Sequence, residues 1–305
     1  MASTIEEMIK AGKNNLEEEI KSKYISASKK REQIWFDVEK NYSDFQDGKK
    51  PYISTGFPEL DKKIGGGLYN GLYVLGATSS LGKTTFVQQI ADNIASGDKQ
   101  NNNAGAKKVL FFCLEMGEDE MIAKTIVREA YRHGGNKTEI GARQFLNGAL
   151  NDEEWEACAI SSGCSDEILK NVFYQEGNFG TTIKEISKIA KEFTQAYGEA
   201  PIIIVDYLQI IPPADPRMSE KQNVDANIAE LKRLSRNLKT PVIVISAVNR
   251  QNYLTQISFE SFRESSGIEY GADVVLGFQL YAIHSLIAEH GDSEKTNTSK
   301  KIRKW

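Results

Sequence analysis

Short runs of continuous apolar residues recur along the chain. The clearest cover residues 72–77, 108–115, 202–211 and 242–248, and they are rich in β-branched and aromatic side chains. Apolarity that is continuous rather than alternating is typical of strands covered on both faces, as in a parallel sheet. The pattern therefore predicts four buried strands.

Between these runs, apolar residues recur at helical spacing. The clearest helix is predicted over residues 182–197, where four apolar residues share one face: Ile183, Ile186, Ile189 and Phe193. Thr182 and Glu185 have the spacing of a capping box at its start. Further helices are predicted after Lys83 and over residues 223–238. Strands that alternate with helices predict an α/β domain, with a mainly parallel central sheet flanked by helices.

Residues 1–50 have a different pattern, with regularly spaced apolar residues among many charges. They predict an amphipathic helical linker that either packs on its own domain or docks on a neighbouring subunit, because amphipathicity does not name the partner. Gly48 and Pro51 interrupt the pattern, so we expect a second domain over residues 51–305. Trp35 and Trp155 fall in helical patterns and are expected to pack in a core.

Composition and charge narrow the class of protein. The 305 residues are 40% hydrophobic and 26% charged, as in soluble globular proteins. The net charge of -4 argues against a generally basic coat for nucleic acid, although it does not bear on local patches. The three cysteines form no C-x-x-C pair, which favours a reducing compartment. No apolar run approaches the ~18 residues of a membrane span, so we expect a cytoplasmic protein without a membrane partner.

A phosphate-binding loop is predicted between the strand at 72–77 and the following helix. The pattern G-x-x-x-x-G-K-[ST] is matched from Ala77 to Thr84, with alanine at its first position. Backbone N–H groups in such a loop converge on a polyphosphate, which indicates ATP. Lys83 is expected to reach the β- and γ-phosphates and Thr84 to coordinate Mg²⁺. The predicted nucleotide-binding residues are Ala77, Thr78, Ser79, Ser80, Leu81, Gly82, Lys83, Thr84 and Thr85.

Two carboxylates follow buried strands. Asp206 ends the run 202–206 and is predicted to hold the Mg²⁺ together with Thr84. Glu115 ends the run 108–115 and is predicted to be the catalytic group that positions water. The alternative for Glu115 is a carboxylate that caps the next helix.

Six segments in order resemble the ATPase domain of DnaB-type replicative helicases, a group of RecA-like P-loop ATPases. They are STGFPELDKKIGGGL, GATSSLGKTTF, FFCLEM, VDYLQII, ISAVNR and RESSGIEYGAD, and they cover residues from about 54 to 280. The segment GGGLYNGLYVLGATSSLGKTTF is similar to helicase modules of phages and mobile elements, which are often fused behind a primase.

The resemblance implies a RecA-like fold and a ring, usually hexameric, that hydrolyses ATP between subunits and moves 5′–3′ on single-stranded DNA. A primase is an implied partner. By position, Lys83 and Thr84 bind phosphate and Mg²⁺, Glu115 is the catalytic carboxylate and Asp206 is the Walker B acid. The loops facing the channel would present five DNA-binding residues: Arg217, Lys221, Asn249, Arg250 and Arg263.

The sequence departs from this family in two places. Ala247 stands where the family usually has a glutamine that senses the γ-phosphate, which puts coupling to DNA in doubt. The chain ends in TNTSKKIRKW, and we expect the domain to lack the C-terminal element that carries the family's arginine finger. Because such a finger is worth about 10³–10⁵ in rate, its loss would impair activation between subunits.

Three functions therefore remain open from the sequence. The first is a helicase or translocase motor with DNA-stimulated ATP hydrolysis. The second is a nucleotide-gated DNA-binding or assembly module with weak turnover, which Ala247 supports. The third is another RecA-like ATPase, of the recombinase or clock-protein type, against which the VDYLQ and RESSGIEYGAD segments argue.

Overall fold

The computed structural model describes residues 27–47, 52–78, 80–97, 105–134, 139–177, 180–249, 257–262 and 265–279. Contacts within the chain divide it into two compact units, Met1–Pro51 and Tyr52–Trp305. The described part of the first unit is a single helix, α1 (Ala27–Gln46). Trp35 on this helix is 57% exposed, so the expectation that it packs in a core is wrong.

Strands and helices alternate along the second unit. In chain order they are α2 (Pro58–Lys63), β1 (Leu72–Ala77), α3 (Lys83–Ser96), β2 (Val109–Cys113), α4 (Glu118–His133), α5 (Ala142–Leu146), α6 (Asp152–Leu169), β3 (Val172–Glu176), α7 (Ile183–Tyr197), β4 (Ile202–Asp206), the 3-10 turn η1 (Leu208–Ile210), α8 (Glu220–Leu238), β5 (Val242–Ala247), the 3-10 turn η2 (Phe259–Ser261), α9 (Ser265–Gly271) and β6 (Val274–Phe278).

The six described strands form one sheet in the order β3-β2-β4-β5-β1-β6, and every pair is parallel. In the register of the sheet, Ala77 at the end of β1 lies opposite Ala247 at the end of β5. Cys113 of β2 lies opposite Asp206 of β4. The predicted α/β fold with a parallel central sheet is confirmed.

Alternate residues of the central strands face two hydrophobic layers. On one face, Val74, Phe112 and Val205 pack with the apolar sides of α7 and α8. On the other, Leu75 and Phe111 pack with residues of α3, including its Val87, Ile90, Ala91 and Ile94. Covered on both faces, the central strands have no polar side, which is why their sequences read as continuous apolar runs.

The predicted helix over residues 182–197 is confirmed as α7. The Thr182 backbone N–H donates to Glu185 Oε2 at 2.7 Å, and the Glu185 N–H donates back to Thr182 Oγ1 at 3.4 Å. Helix α8 begins at Glu220, three residues before the predicted start. A second capping box explains the difference, since the Gln222 N–H donates to Ser219 Oγ at 3.2 Å.

A helical segment made of α4, α5 and α6 lies between β2 and β3, and the apolar pattern did not single it out. Its own small core contains Ala130, Ile140, Ala157 and Cys158. Trp155 of α6 is 65% exposed, so the expectation of a core position is wrong here too. Across the described part of the chain, no helix combines the length and apolarity needed to span a bilayer.

Candidate functional site

The order of the strands brings the predicted site together at one edge of the sheet. Strand β5 lies between β1, which leads into the phosphate loop, and β4, which ends in Asp206. Because all strands are parallel, their carboxyl ends meet at the same edge, where α/β proteins bind ligands. The segments that follow β1, β2, β4 and β5 therefore all leave from this edge.

The phosphate loop takes a backbone course that glycine makes available. Gly82 has φ 86° and caps α3, and an added Cβ would find nothing within 4 Å. Conformation rather than packing therefore requires glycine at this position. The first N–H groups of a helix have no carbonyl partner in a preceding turn, so the start of α3, at Thr84 and Thr85, can present backbone donors to an anion.

The described residues of the predicted nucleotide site follow one another around this loop. Ala77 is buried at the end of β1, whereas Ser80, Gly82 and Thr85 are exposed. Thr78, Leu81, Lys83 and Thr84 are half-buried. Ser79 lies outside the described residues. The loop is thus anchored in the sheet at its start and open to solvent at its turn.

The Lys83 ammonium is held by the loop itself. Lys83 Nζ donates to the carbonyl oxygens of Ala77 at 3.2 Å and Thr78 at 3.1 Å. These contacts keep the positive charge at the mouth of the loop, where the N–H groups of the helix also collect. A polyphosphate is the anion that this combination suits.

Thr84 and Asp206 meet across 122 positions of sequence. Thr84 Oγ1 donates to Asp206 Oδ2 at 2.6 Å, and Asp206 is only 3% exposed. The pKa of Asp206 is raised to about 6, mainly by burial; the hydrogen bond from Thr84 and the charge of Lys83 oppose this rise, and the Glu115 carboxylate adds to it. A buried carboxylate beside a hydroxyl is costly without a cation.

The donor set fits a magnesium ion better than a transition metal. Both groups offer oxygen, which Mg²⁺ prefers, and no group of three or more His, Cys, Asp or Glu side chains forms a metal site within the described residues. A magnesium ion here would need further oxygen atoms from phosphate and water, as is usual for nucleotide sites.

Glu115 lies two residues beyond β2 and is exposed. The backbone N–H of Leu114 donates to the Asp206 carbonyl at 2.9 Å, which brings the Glu115 segment alongside the end of β4. Glu115 is not the cap of α4, because Gly117 occupies the N-cap position and no side chain bonds there. The geometry therefore does not support the capping alternative.

Lys124 of α4 is a neighbour of the site that the sequence did not indicate. Its charge lowers the pKa of Asp206, against the larger effect of burial, and its Nζ contacts Met116 Sδ at 3.3 Å. Nothing in the local sequence pattern marks this lysine, because its relation to Asp206 depends on how α4 packs beside the sheet.

Three of the five predicted DNA-binding residues are described. Arg217 and Lys221 are exposed in the segment that joins β4 to α8 and in the first turn of α8. Asn249 is half-buried just after β5, and its backbone N–H donates to the Ser261 carbonyl at 2.8 Å. Arg250 and Arg263 lie outside the described residues. The described three thus belong to segments that leave the same edge of the sheet as the phosphate loop.

A glutamine that the sequence did not single out joins the ends of β4 and β5. Gln209 Nε2 donates to Ser246 Oγ at 2.9 Å, and the Ala247 N–H donates to Gln209 Oε1 at 3.1 Å. Ala247 stands where the family usually has a glutamine. It contacts Gln209 through its backbone N–H and not through its side chain.

The segment STGFPELD forms a hydrogen-bonded turn that contacts α3, the helix after the phosphate loop, at Asn93. Buried Asp61 accepts hydrogen bonds from Ser54 Oγ at 2.5 Å and from Thr55 Oγ1 at 2.6 Å. Asn93 of α3 then donates from Nδ2 to the Thr55 carbonyl at 3.0 Å. These residues therefore have a structural role, since their hydrogen bonds hold the turn together and attach it to Asn93 of α3.

Asp273, which ends the segment RESSGIEYGAD, also has a structural contact. The Leu72 N–H donates to Asp273 Oδ2 at 2.7 Å, and Lys232 forms a close ion pair with the same carboxylate. These contacts join the start of β6 to the start of β1 and to α8.

Comparison with known proteins gives one family. The DnaB-like helicase C terminal domain matches residues 52–303. The replicative DNA helicase DnaC of Bacillus subtilis (strain 168) is 30% identical over 227 residues, which are 73% of this chain and 46% of that protein. The replicative DNA helicase DnaB of Geobacillus stearothermophilus is 31% identical over 235 residues, 75% of this chain and 47% of that protein. The chain spans just under half the length of these relatives.

Solved structures share the fold. One solved ATPase domain superposes with a TM-score of 0.69 at 24% identity, covering 89% of this chain and 88% of that one. A DnaB-like replicative helicase, determined in a study of its interactions with primase, gives a TM-score of 0.67 at 24% identity and covers 90% of this chain and 60% of that one. The RecA-like fold expected from the resemblance is confirmed.

Proposed function

This chain belongs to the DnaB-like helicase C-terminal domain family, and from that premise we propose that it is the ATP-hydrolysing motor of a replicative DNA helicase. The observation that carries the proposal is the contact of Thr84 with buried Asp206 beside the phosphate loop. A hydroxyl and a carboxylate in contact beside such a loop are the two protein ligands that a nucleotide-bound Mg²⁺ would require.

The loop binds the phosphates of ATP. Its N–H groups and the start of α3 provide neutral donors, while Lys83 provides the mobile positive charge. Lys83 Nζ already donates to two carbonyl oxygens of the loop. Phosphate oxygens can replace those two acceptors while the backbone of Lys83 stays where it is.

Thr84 and Asp206 would hold Mg²⁺. When bound, the ion neutralises charge on the phosphates and orients them for attack. Asp206 must be ionised to bind the cation. Since burial raises its pKa to about 6, the ionised carboxylate predominates above that pH.

Glu115 orients the attacking water and accepts its proton at a carboxylate oxygen. Its exposure leaves room for water, and the hydrogen bond from the Leu114 N–H to the Asp206 carbonyl holds the Glu115 segment alongside the end of β4. A positioned general base is worth about 10²–10⁴ in rate.

The proposed partners are single-stranded DNA, further copies of the chain in a ring, taken as a hexamer, and a primase. Cations and amides suit sequence-independent contact with DNA phosphates, and the candidates are Arg217, Lys221, Asn249, Arg250 and Arg263. The comparisons favour this motor over a nucleotide-gated assembly module with weak ATPase activity. The observation that favours the assembly module is Ala247, because alanine has no polar side chain that could sense the γ-phosphate.

The proposal is tested by the rate of ATP hydrolysis at low salt with and without single-stranded DNA. We expect DNA to raise the rate, and Lys83→Ala and Glu115→Gln to lower it by about 100-fold or more. Asp119→Asn, at an exposed position in the first turn of α4, is the control and should stay within about twofold, as surface substitutions generally do.

Two results would contradict the motor. A rate that DNA leaves unchanged at low salt is the first, and full turnover in Glu115→Gln is the second. Near-zero turnover with intact ATP affinity in the unsubstituted chain would instead support the assembly module.

A further inference from the structure

The ends of β4 and β5 are joined by a side chain rather than by the backbone ladder. The paired residues of these strands run from Ile203 opposite Val242 to Val205 opposite Val244. Beyond that pair, β4 ends at Asp206 and turns into η1, while β5 continues for three more residues. Gln209 of η1 spans the gap.

Both ends of the Gln209 amide are used. Nε2 donates to Ser246 Oγ at 2.9 Å, and Oε1 accepts from the Ala247 N–H at 3.1 Å. The amide has one arrangement that satisfies both partners, because turning it over would point its N–H at the N–H of Ala247. Ser246 is fully buried, so the loss of its partner would not be replaced by water.

The contact lies between the two functional parts of the edge. Gln209 is three residues after Asp206, and Ala247 lies opposite Ala77, where the phosphate loop begins. Two residues after Ala247, the chain reaches Asn249, which the Ser261 carbonyl holds through its backbone. Ala247 itself has only a methyl group, so its side chain can form no hydrogen bond at this place.

We propose that Gln209 is a positioning residue through which the Asp206 turn and the end of β5 move together, coupling the nucleotide site to Asn249. The inference rests on the proposed function, because its readout is stimulation by DNA. A displacement of the Asp206 turn is passed to Ser246 and Ala247 by two hydrogen bonds of fixed direction. By linkage, DNA bound at Asn249 acts back on the Asp206 turn through the same bonds.

The test compares DNA stimulation of ATP hydrolysis in variants of the 305-residue chain. Gln209→Met keeps the length of the side chain and removes both bonds, and Ser246→Ala removes one bond from the other side. Gln144→Met is the matched control, because Gln144 also holds a turn with its amide, at 2.9 Å from the Ala149 carbonyl, but does so at α5. The measured quantity is the ratio of the rate with saturating DNA to the rate without it.

We expect Gln209→Met to lower this ratio by about tenfold and Gln144→Met to leave it unchanged. The double variant of Gln209→Met and Ser246→Ala should lower it no further than Gln209→Met alone, since both changes break the same contact. Thermal unfolding of all variants separates a loss of coupling from a loss of stability, because a merely structural role would move the melting temperature and not the ratio.

The outcomes distinguish this inference from the function it rests on. If the unsubstituted chain is stimulated by DNA and Gln209→Met keeps the full ratio, the inference is wrong and the motor stands. Effects of Gln209→Met and Ser246→Ala that simply add would also overturn it. If DNA does not stimulate the unsubstituted chain, the motor and the inference both fall.

Discussion

At the scale of single residues, the proposed Mg²⁺ ligand Asp206 destabilises the folded protein when it is ionised and no cation is bound. It is almost completely buried, and it accepts a hydrogen bond from the neutral hydroxyl of Thr84. Burial raises its pKa from 3.8 to about 6, so the folded protein holds a proton there more tightly than the unfolded chain does. Stability from this group is therefore lost as the pH rises through that interval, and the cost is complete above it.

Asp206→Asn should consequently stabilise the protein in the absence of nucleotide and magnesium. At pH 7.5 we expect its free energy of unfolding to exceed that of the unsubstituted chain by about 1–3 kcal/mol, because the buried charge is gone. The gain should vanish near pH 4, and magnesium-dependent ATP hydrolysis should be lost at every pH. Denaturant unfolding at several pH values measures this, and a variant that is less stable at pH 7.5 would contradict the assignment.

The residues of the candidate site differ in how far local sequence could identify them. Lys83 and Thr84 are marked by their spacing in the loop, and Asp206 by its place after an apolar run. No local sequence pattern identifies Lys124 or Gln209, because the residues that each of them affects or contacts are distant in sequence. Gln209 contacts residues 37 and 38 positions away, and only the order of the strands brings them together.

At the scale of elements, a buried polar network joins the phosphate-loop helix α3 to α4, the helix that follows Glu115. Gln88 Nε2 of α3 donates to Thr125 Oγ1 at 3.1 Å and to Tyr174 of β3 at 3.2 Å. Thr125 Oγ1 donates to Asp92 Oδ2 at 2.8 Å, and Arg128 forms a close ion pair with the same carboxylate. The network holds together the two helices whose first turns lie beside the candidate nucleotide site.

Arg128→Met should destabilise the protein by about 3 kcal/mol or more, because it leaves the Asp92 carboxylate buried without its cation. Arg233→Met is the control: Arg233 is 67% exposed and pairs with Glu230 on the same helix, so its loss should stay below about 1 kcal/mol. Adding Asp92→Asn to Arg128→Met should recover part of the loss. Equal unfolding free energies for the two arginine variants would show that the network does not hold α3 to α4.

The strands show which elements sequence pattern can identify. The four predicted ones are the central strands β1, β2, β4 and β5, whose residues are buried on both faces. The two that were missed, β3 and β6, are the edges of the sheet, and both contain half-buried or exposed positions. Strand β3 lacks a continuous apolar run, because its sequence VFYQE ends in two polar residues, whereas β6, VVLGF, is an apolar run that was not among the predicted strands.

At the scale of the whole molecule, the net charge of -4 is compatible with DNA binding. The candidate cations and amides that the structure describes lie in segments leaving the edge of the sheet that also holds the phosphate loop. Phosphate contacts need positive charge only at that edge, and DNA affinity should fall steeply as salt screens it. Ala247 stands where the family usually has a glutamine, and its backbone N–H donates to Gln209. Under the proposal above, this contact couples the nucleotide site to DNA without a polar side chain at position 247.

As the motor of a replicative helicase, this chain is expected to assemble on single-stranded DNA under the control of ATP. Native mass spectrometry with a non-hydrolysable ATP analogue, Mg²⁺ and a single-stranded oligonucleotide measures assembly, nucleotide and DNA in one experiment. We predict a species of six chains on one DNA strand that forms with the analogue and is absent without it and in Lys83→Ala. A single chain that binds the analogue and takes up no DNA would contradict the claim.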